Sequence, residues 1–132
     1  TDDTSMALCL AESLLEKRGF DPIHQLEIYC RWFRHGHLSS TGRCFDIGNT
    51  TRAALHRFED SPCDYPGPTH PDYAGNGSLM RLAPVPMFFA ANPADAVHYG
   101  GESSRTTHGA RECIDACRYY SGLIVGALHG QT

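Results

Sequence analysis

Apolar residues in this chain recur at helical spacing almost from end to end, while the two-residue alternation of a half-buried strand is nearly absent. That periodicity limits the chain to an all-α fold. Between Ser5 and Arg18, Met6, Leu10 and Leu14 form one row at i, i+4, i+8, and Ala7, Ala11 and Leu15 form a second beside it. The two rows make one broad apolar face. Asp2 and Asp3 stand where a cap or first-turn acid belongs, and Gly19 is the expected stop.

The next helix opens on Asp21-Pro22, a capping acid followed by proline at the first helical position, and ends at Gly36. Its expected inward residues are Ile23, Leu26, Tyr29, Cys30 and Phe33. A polar loop, His37 to Arg43, leads to a third helix over Asn49 to Asp60, with Asn49 as its cap and Ala53, Ala54, Leu55 and Phe58 inward. Ser61 to Gly77 holds four prolines and three glycines, which predicts a long irregular connection. Pro84 and Pro86 break the apolar stretch Ser78 to Ala91 into two short helical pieces. A helix from Asn92-Pro93 follows, weakened by Gly100-Gly101. The last helix, Gly109 to Leu128, is expected to turn Cys113, Cys117, Tyr120, Ile124 and Ala127 to one side. Gly122, Gly126 and Gly130 then form a small-residue ridge for close helix approach. With Leu123, Val125, Leu128 and Tyr119 on the other side, this helix is apolar nearly all round. Self-association through it is the expected consequence.

The length, 132 residues, suits one domain. The net charge is −4, Lys17 is the single lysine, and no basic cluster occurs, which argues against a nucleic-acid partner. The longest apolar run, Leu123 to Leu128, is too short to span a bilayer. Six cysteines without a C-x-x-C pair, four of them inside helical apolar patterns, predict reduced thiols and a cytoplasmic protein. The opening Thr1-Asp2-Asp3-Thr4 carries neither an initiator Met nor a signal peptide, so the chain is expected to be part of something longer.

Chemistry is concentrated in four places. Thr1 to Thr4 sets two carboxylates and two hydroxyls at a helix start, as a hard divalent cation would require, although a capped helix with acids at its positive end has the same sequence. Asp46 lies between Phe45 and Ile47 and close to two glycines; an acid held among apolar neighbours suits proton transfer, and an acid there could equally cap the following helix. The turn Gly75-Asn76-Gly77-Ser78 offers backbone amides to a phosphate or is simply a turn. His108, after Thr107, is either a ligand contact or a surface histidine. His35-x-His37 has no partner at a zinc spacing.

Taken jointly, Thr1-Asp2-Asp3-Thr4-Ser5-Met6-Ala7-Leu8, Ser40-Thr41-Gly42 with Phe45-Asp46-Ile47-Gly48, Gly75-Asn76-Gly77-Ser78-Leu79-Met80-Arg81 and Thr107-His108 resemble the ADP-ribosylglycohydrolases, a family that includes the dinitrogenase reductase-activating glycohydrolase. The motifs stand in the family's order over the whole chain. The resemblance implies an all-helical fold with two divalent metals, Mg²⁺ or Mn²⁺, in a cleft that hydrolyses the bond between ADP-ribose and a protein side chain. It further implies Thr1, Asp2 and Asp3 as metal ligands and Asp46 as the acid near the ribose. Asn49 would be a polar contact, Gly75, Asn76 and Gly77 the backbone around diphosphate and ribose, and His108 a ring packed on the ligand. An ADP-ribosylated protein, or ADP-ribose itself, is the implied partner.

The family's second metal motif, Asp-x-Asp-Thr, does not occur after Asp46; the acids beyond Gly77 are Asp95, Glu102, Glu112 and Asp115. Residues 1–132 are therefore expected to form a single partial domain, the central part of the fold. The alternative expectation is a non-catalytic relative that serves as a structural or ADP-ribose-binding module.

Overall fold

A computed structural model describes residues 1–130, and every regular element in them is helical. In order these are α1 (Asp2–Lys17), α2 (Pro22–His35), α3 (Asn49–Asp60), a 3-10 turn (Pro71–Tyr73), α4 (Gly77–Met80), α5 (Pro84–Phe88), α6 (Pro93–Arg105) and α7 (Arg111–Leu128). The caps explain several boundaries. Asp21 accepts the His24 amide at 3.0 Å with Pro22 at the first position. Asn92 does the same for Asp95 at 3.3 Å ahead of Pro93. Gly36 closes α2 in the left-handed region at φ 70°, where any side chain would also collide with the Gly42 carbonyl.

Two expected caps are corrected. Arg18, not Gly19, takes the left-handed position after α1, at φ 54°. Gly48, not Asn49, is the N-cap of α3; Asn49 is the first helical residue, which frees its amide for the cleft below.

The core runs through Met6, Cys9, Leu10 and Leu14 of α1, Leu26, Ile28, Tyr29 and Trp32 of α2, Leu55 and Phe58 of α3, then Leu82, Val85 and Cys117. The buried stripes are narrower than the sequence suggested. Leu15 is 70% exposed, and Ile23 and Ala53 also face outward. On α7 the buried row is Cys113, Cys117, Ser121 and Val125, one step from the expected side, and Tyr120 and Ala127 are exposed. In each case the outward row is one that the neighbouring helices leave uncovered. All six cysteines are free thiols.

The close helix approach also lies elsewhere than expected. Gly122 has only Val97 near it, at 3.9 Å, and Gly130 nothing within 4 Å. Instead the two glycines read as weakening α6 are the contact. A Cβ on Gly100 would run into Ser121 Oγ, and one on Gly101 would lie 2.6 Å from Arg118 Cγ. Removing two side chains lets α6 and α7 form the most extensive helix pair in the fold. The proline-rich connection is pinned against this pair, with the Gly67 amide on Arg105 O at 3.2 Å and the Gly109 amide on Pro68 O at 3.0 Å. It thereby delivers Gly75 to Gly77 to the start of α4. Among the described residues, no helix is long and apolar enough to cross a membrane.

Candidate active-site cleft

Four stretches of chain meet at one cleft of about 300 Å³, lined by Asp2, Gly48 to Thr51, Gly75 to Gly77, Met80 and His108. A separate hollow of about 340 Å³, between α1 and α5, is lined by Ala11, Leu14, Leu15, Pro84, Met87 and Phe88. It offers no polar side chain for chemistry. The cleft, where separate stretches singled out from the sequence converge, is the candidate site.

Of the nine residues singled out from the sequence, six line it: Asp2, Asn49, Gly75, Asn76, Gly77 and His108. Thr1, Asp3 and Asp46 do not. Thr1 is exposed at the N-cap of α1, and its hydroxyl donates to Asp3 Oδ1 rather than to the helix. That hydrogen bond is the first reason the Asp3 carboxyl sits below its ordinary value. Asp46 is exposed in a left-handed conformation, φ 60°, which costs a non-glycine residue about 1 kcal/mol or more. The expectation that Phe45 and Ile47 would shelter it fails: both are half-buried while Asp46 between them is exposed. Asp46 is nonetheless close enough for its charge to bear on Asp2.

Asp2 is the one ionised group in the cleft wall. Its pKa is raised, chiefly by burial, with repulsion from Asp3 and then Asp46 adding to that and backbone hydrogen bonds opposing it. Among the described residues no cation pairs with Asp2, Asp3 or Asp46, and no three His, Cys, Asp or Glu side chains converge closely enough to enclose a metal.

His108 forms the floor. It is 3% exposed, and its Nδ1 lies 2.7 Å from Thr107 Oγ1, itself fully buried. The reading of His108 as a surface residue is thus excluded. The ring fills the space beneath the turn, so a Cβ on Gly77 would come 2.7 Å from His108 Cε1. Glycine there is a steric requirement. Burial, and secondarily the charge of Arg81, push the His108 pKa down to about 3, so the ring is neutral at ordinary pH.

Thr51, 3% exposed, and its neighbour Thr50 were not picked out from sequence. Thr50 Oγ1 donates to Tyr73 O at 2.9 Å, tying the 3-10 turn to α3. Threonines in the first turn of a helix look like ordinary helix-start residues, and only the position next to Asn49 hinted at more.

The cleft thus sets one carboxylate, a glycine turn and a neutral histidine floor around a space of small-ligand size. The profile of the family described as ADP-ribosylglycohydrolase matches residues 1–132, and the chain belongs to that family. Among curated relatives it is 39% identical to the ADP-ribosylarginine hydrolase Tri1 of Serratia proteamaculans (strain 568), over 100% of this chain and 36% of that protein. It is 40% identical to ADP-ribosylarginine hydrolase Tri1 of Pseudomonas putida (strain GB-1), over 98% of this chain and 35% of the relative. It is 32% identical to the ADP-ribosyl-[dinitrogen reductase] glycohydrolase of Rhodospirillum rubrum, over 99% of this chain and 42% of the relative. The chain thus spans well under half the length of the relatives it matches.

Proposed function

We propose that the chain carries the central part of the active site of a hydrolase that releases ADP-ribose from modified protein side chains, arginine foremost. The carrying observation is that the fold draws Asp2, Asn49, Gly75 to Gly77 and His108 from separate stretches into one cleft. Arginine is favoured because two relatives at 39% and 40% identity bear the name ADP-ribosylarginine hydrolase.

The reaction adds water across the bond between the ribose C1″ carbon and the side-chain nitrogen. The ribose carbon takes the hydroxyl, and the nitrogen leaves with the proton. Positive charge grows on the ribose as that bond lengthens, and a carboxylate nearby lowers the barrier. In this reading Asp46, exposed beside the cleft and close enough for its charge to bear on Asp2, moves the proton, while Asp2 supplies negative charge at the cleft wall. Gly75 and Gly77 let the backbone come close to diphosphate and ribose, Asn49 binds a ribose hydroxyl, and the flat neutral ring of His108 packs on the ligand.

Thr1, Asp2 and Asp3 would hold a divalent ion, Mg²⁺ or Mn²⁺. Their chemistry fits: oxygen donors only, with carboxylates whose mutual repulsion a cation relieves. They form one side of a site rather than a cage. When bound, such an ion would orient ligand oxygens and lower the pKa of water. Six free cysteines suit a reducing, cytoplasmic setting.

A non-catalytic ADP-ribose-binding module is the second reading, favoured by the position of Asp46 outside the residues that line the cleft. One assay separates them: release of free ADP-ribose from an ADP-ribosylated protein by the full-length protein, with and without Mg²⁺ or Mn²⁺. Metal-dependent release supports the hydrolase. Binding of ADP-ribose without release supports the module.

A further inference from the structure

The cleft has no cation in its wall, yet a positive charge is buried at the residue that follows its lining residue Met80. No lysine or arginine lines the cleft, where Asp2 is the only ionised side chain. Arg81, next in sequence to the lining residue Met80, is 1% exposed. Its Nη2 donates to Ser103 O and Thr106 Oγ1, both at 3.0 Å, and its guanidinium lies 4.9 Å from the centre of the Tyr29 ring. Among the described residues no carboxylate pairs with it, and its Nε and Nη1 have no hydrogen-bond partner.

Burying a cation without a counter-ion costs several kcal/mol, and two unpaired N–H groups add to that. The two neutral acceptors and one aromatic face that Arg81 does have are weak compensation. It is nevertheless close to the site: Met80 before it lines the cleft, and Thr106, which it holds at 3.0 Å, stands two residues before His108 on the floor. Through a low-dielectric interior such a charge is screened far less than one at the surface.

We infer that Arg81 is the countercharge for the diphosphate of the ligand, acting through the floor of the cleft rather than by contact. This rests on the reading of the cleft as an ADP-ribose site. It makes Arg81 a positioning residue: with an anion in the cleft, the buried guanidinium gains the opposite charge that none of the described residues supplies. Affinity for the phosphate-bearing part of the ligand then depends on the charge at residue 81, and affinity for its uncharged parts does not.

The test compares the full-length protein with its Arg81→Met and Arg81→Lys variants, measuring binding of ADP-ribose and of adenosine, which carries no phosphate. Arg81→Met is expected to weaken ADP-ribose about tenfold, as loss of one screened charge pair implies, and to leave adenosine within about twofold. Arg81→Lys, which keeps the charge and loses the fork, is expected to stay within about threefold for both ligands. Equal loss of ADP-ribose and adenosine in either folded variant would make Arg81 a purely structural residue and overturn the inference. So would unchanged ADP-ribose binding in Arg81→Met. If Arg81→Met does not fold, the lysine variant decides: a tenfold loss of ADP-ribose there overturns the charge argument. Failure of the unaltered protein to bind ADP-ribose at all overturns the underlying reading along with it, which distinguishes the two failures.

Discussion

His108 is neutral because of where it is, and that has a measurable consequence. Its pKa falls from the ordinary 6.5 to about 3, first through burial and then through Arg81. In the unfolded chain the same ring takes a proton near 6.5. Between those two values the unfolded state binds more protons, so stability is complete above pH 6.5 and declines as pH falls toward 3. The loss attributable to this ring is on the order of a few kcal/mol. NMR titration of the His108 ring protons is expected to show no protonation across the range in which exposed histidines titrate; a midpoint near 6.5 would contradict the buried floor. Asp46 gives the second residue-scale prediction. Asp46→Asn preserves size and removes the charge and the proton-carrying capacity. Turnover by the full-length protein is expected to fall about a hundredfold or more, with ADP-ribose affinity nearly unchanged. Wild-type turnover would reduce Asp46 to a loop residue.

At the scale of elements, helix periods, caps and prolines located every α-helix in the described residues, including the break between α4 and α5, while the 3-10 turn Pro71–Tyr73 lies in the stretch read as irregular. They did not reveal which side of each helix is covered. Leu15 and Ala53 obey the same spacing as Leu14 and Ala54, and only the position of neighbouring helices separates them. The Gly100-Gly101 pair shows the limit most clearly. Local propensity makes two glycines a defect in α6, whereas the packing uses them to bring Ser121 and Arg118 of α7 close. Gly100→Ala therefore tests packing against propensity. Alanine is worth about 1 kcal/mol over glycine in a helix, but overpacking against Ser121 costs about 1–3 kcal/mol. The net effect expected in denaturant unfolding is destabilisation; a more stable variant would mean that the helices do not approach as described. The site followed a similar pattern. Motif order pointed to Asn49, Gly75 to Gly77 and His108, but the buried countercharge at Arg81 had no local signal beyond its place at the end of a motif.

For the whole molecule, exposed apolar side chains gather in two regions: Leu15, Met87 and Phe88 along the α1–α5 hollow, and Tyr119, Tyr120, Leu123 and Leu128 on α7. Apolar area of that extent on an isolated chain favours association. The 132-residue chain by itself is accordingly expected to self-associate through α7, with sedimentation equilibrium showing a mass above 14.5 kDa that falls when Leu123 and Leu128 are replaced by serine. A monodisperse species at 14.5 kDa would refute this.

The central claim is that one cleft, built by the starts of α1, α3 and α4 and by the α6–α7 junction, holds ADP-ribose. Titrating ADP-ribose into isotopically labelled full-length protein and mapping the perturbed amide and ring resonances tests it directly. The largest changes are expected at Asn49, Gly75, Asn76, Gly77 and His108, with Leu15, Met87 and Phe88 unmoved. Saturable binding with its largest changes at the α1–α5 hollow, or no perturbation of Gly75 to Gly77, would contradict it.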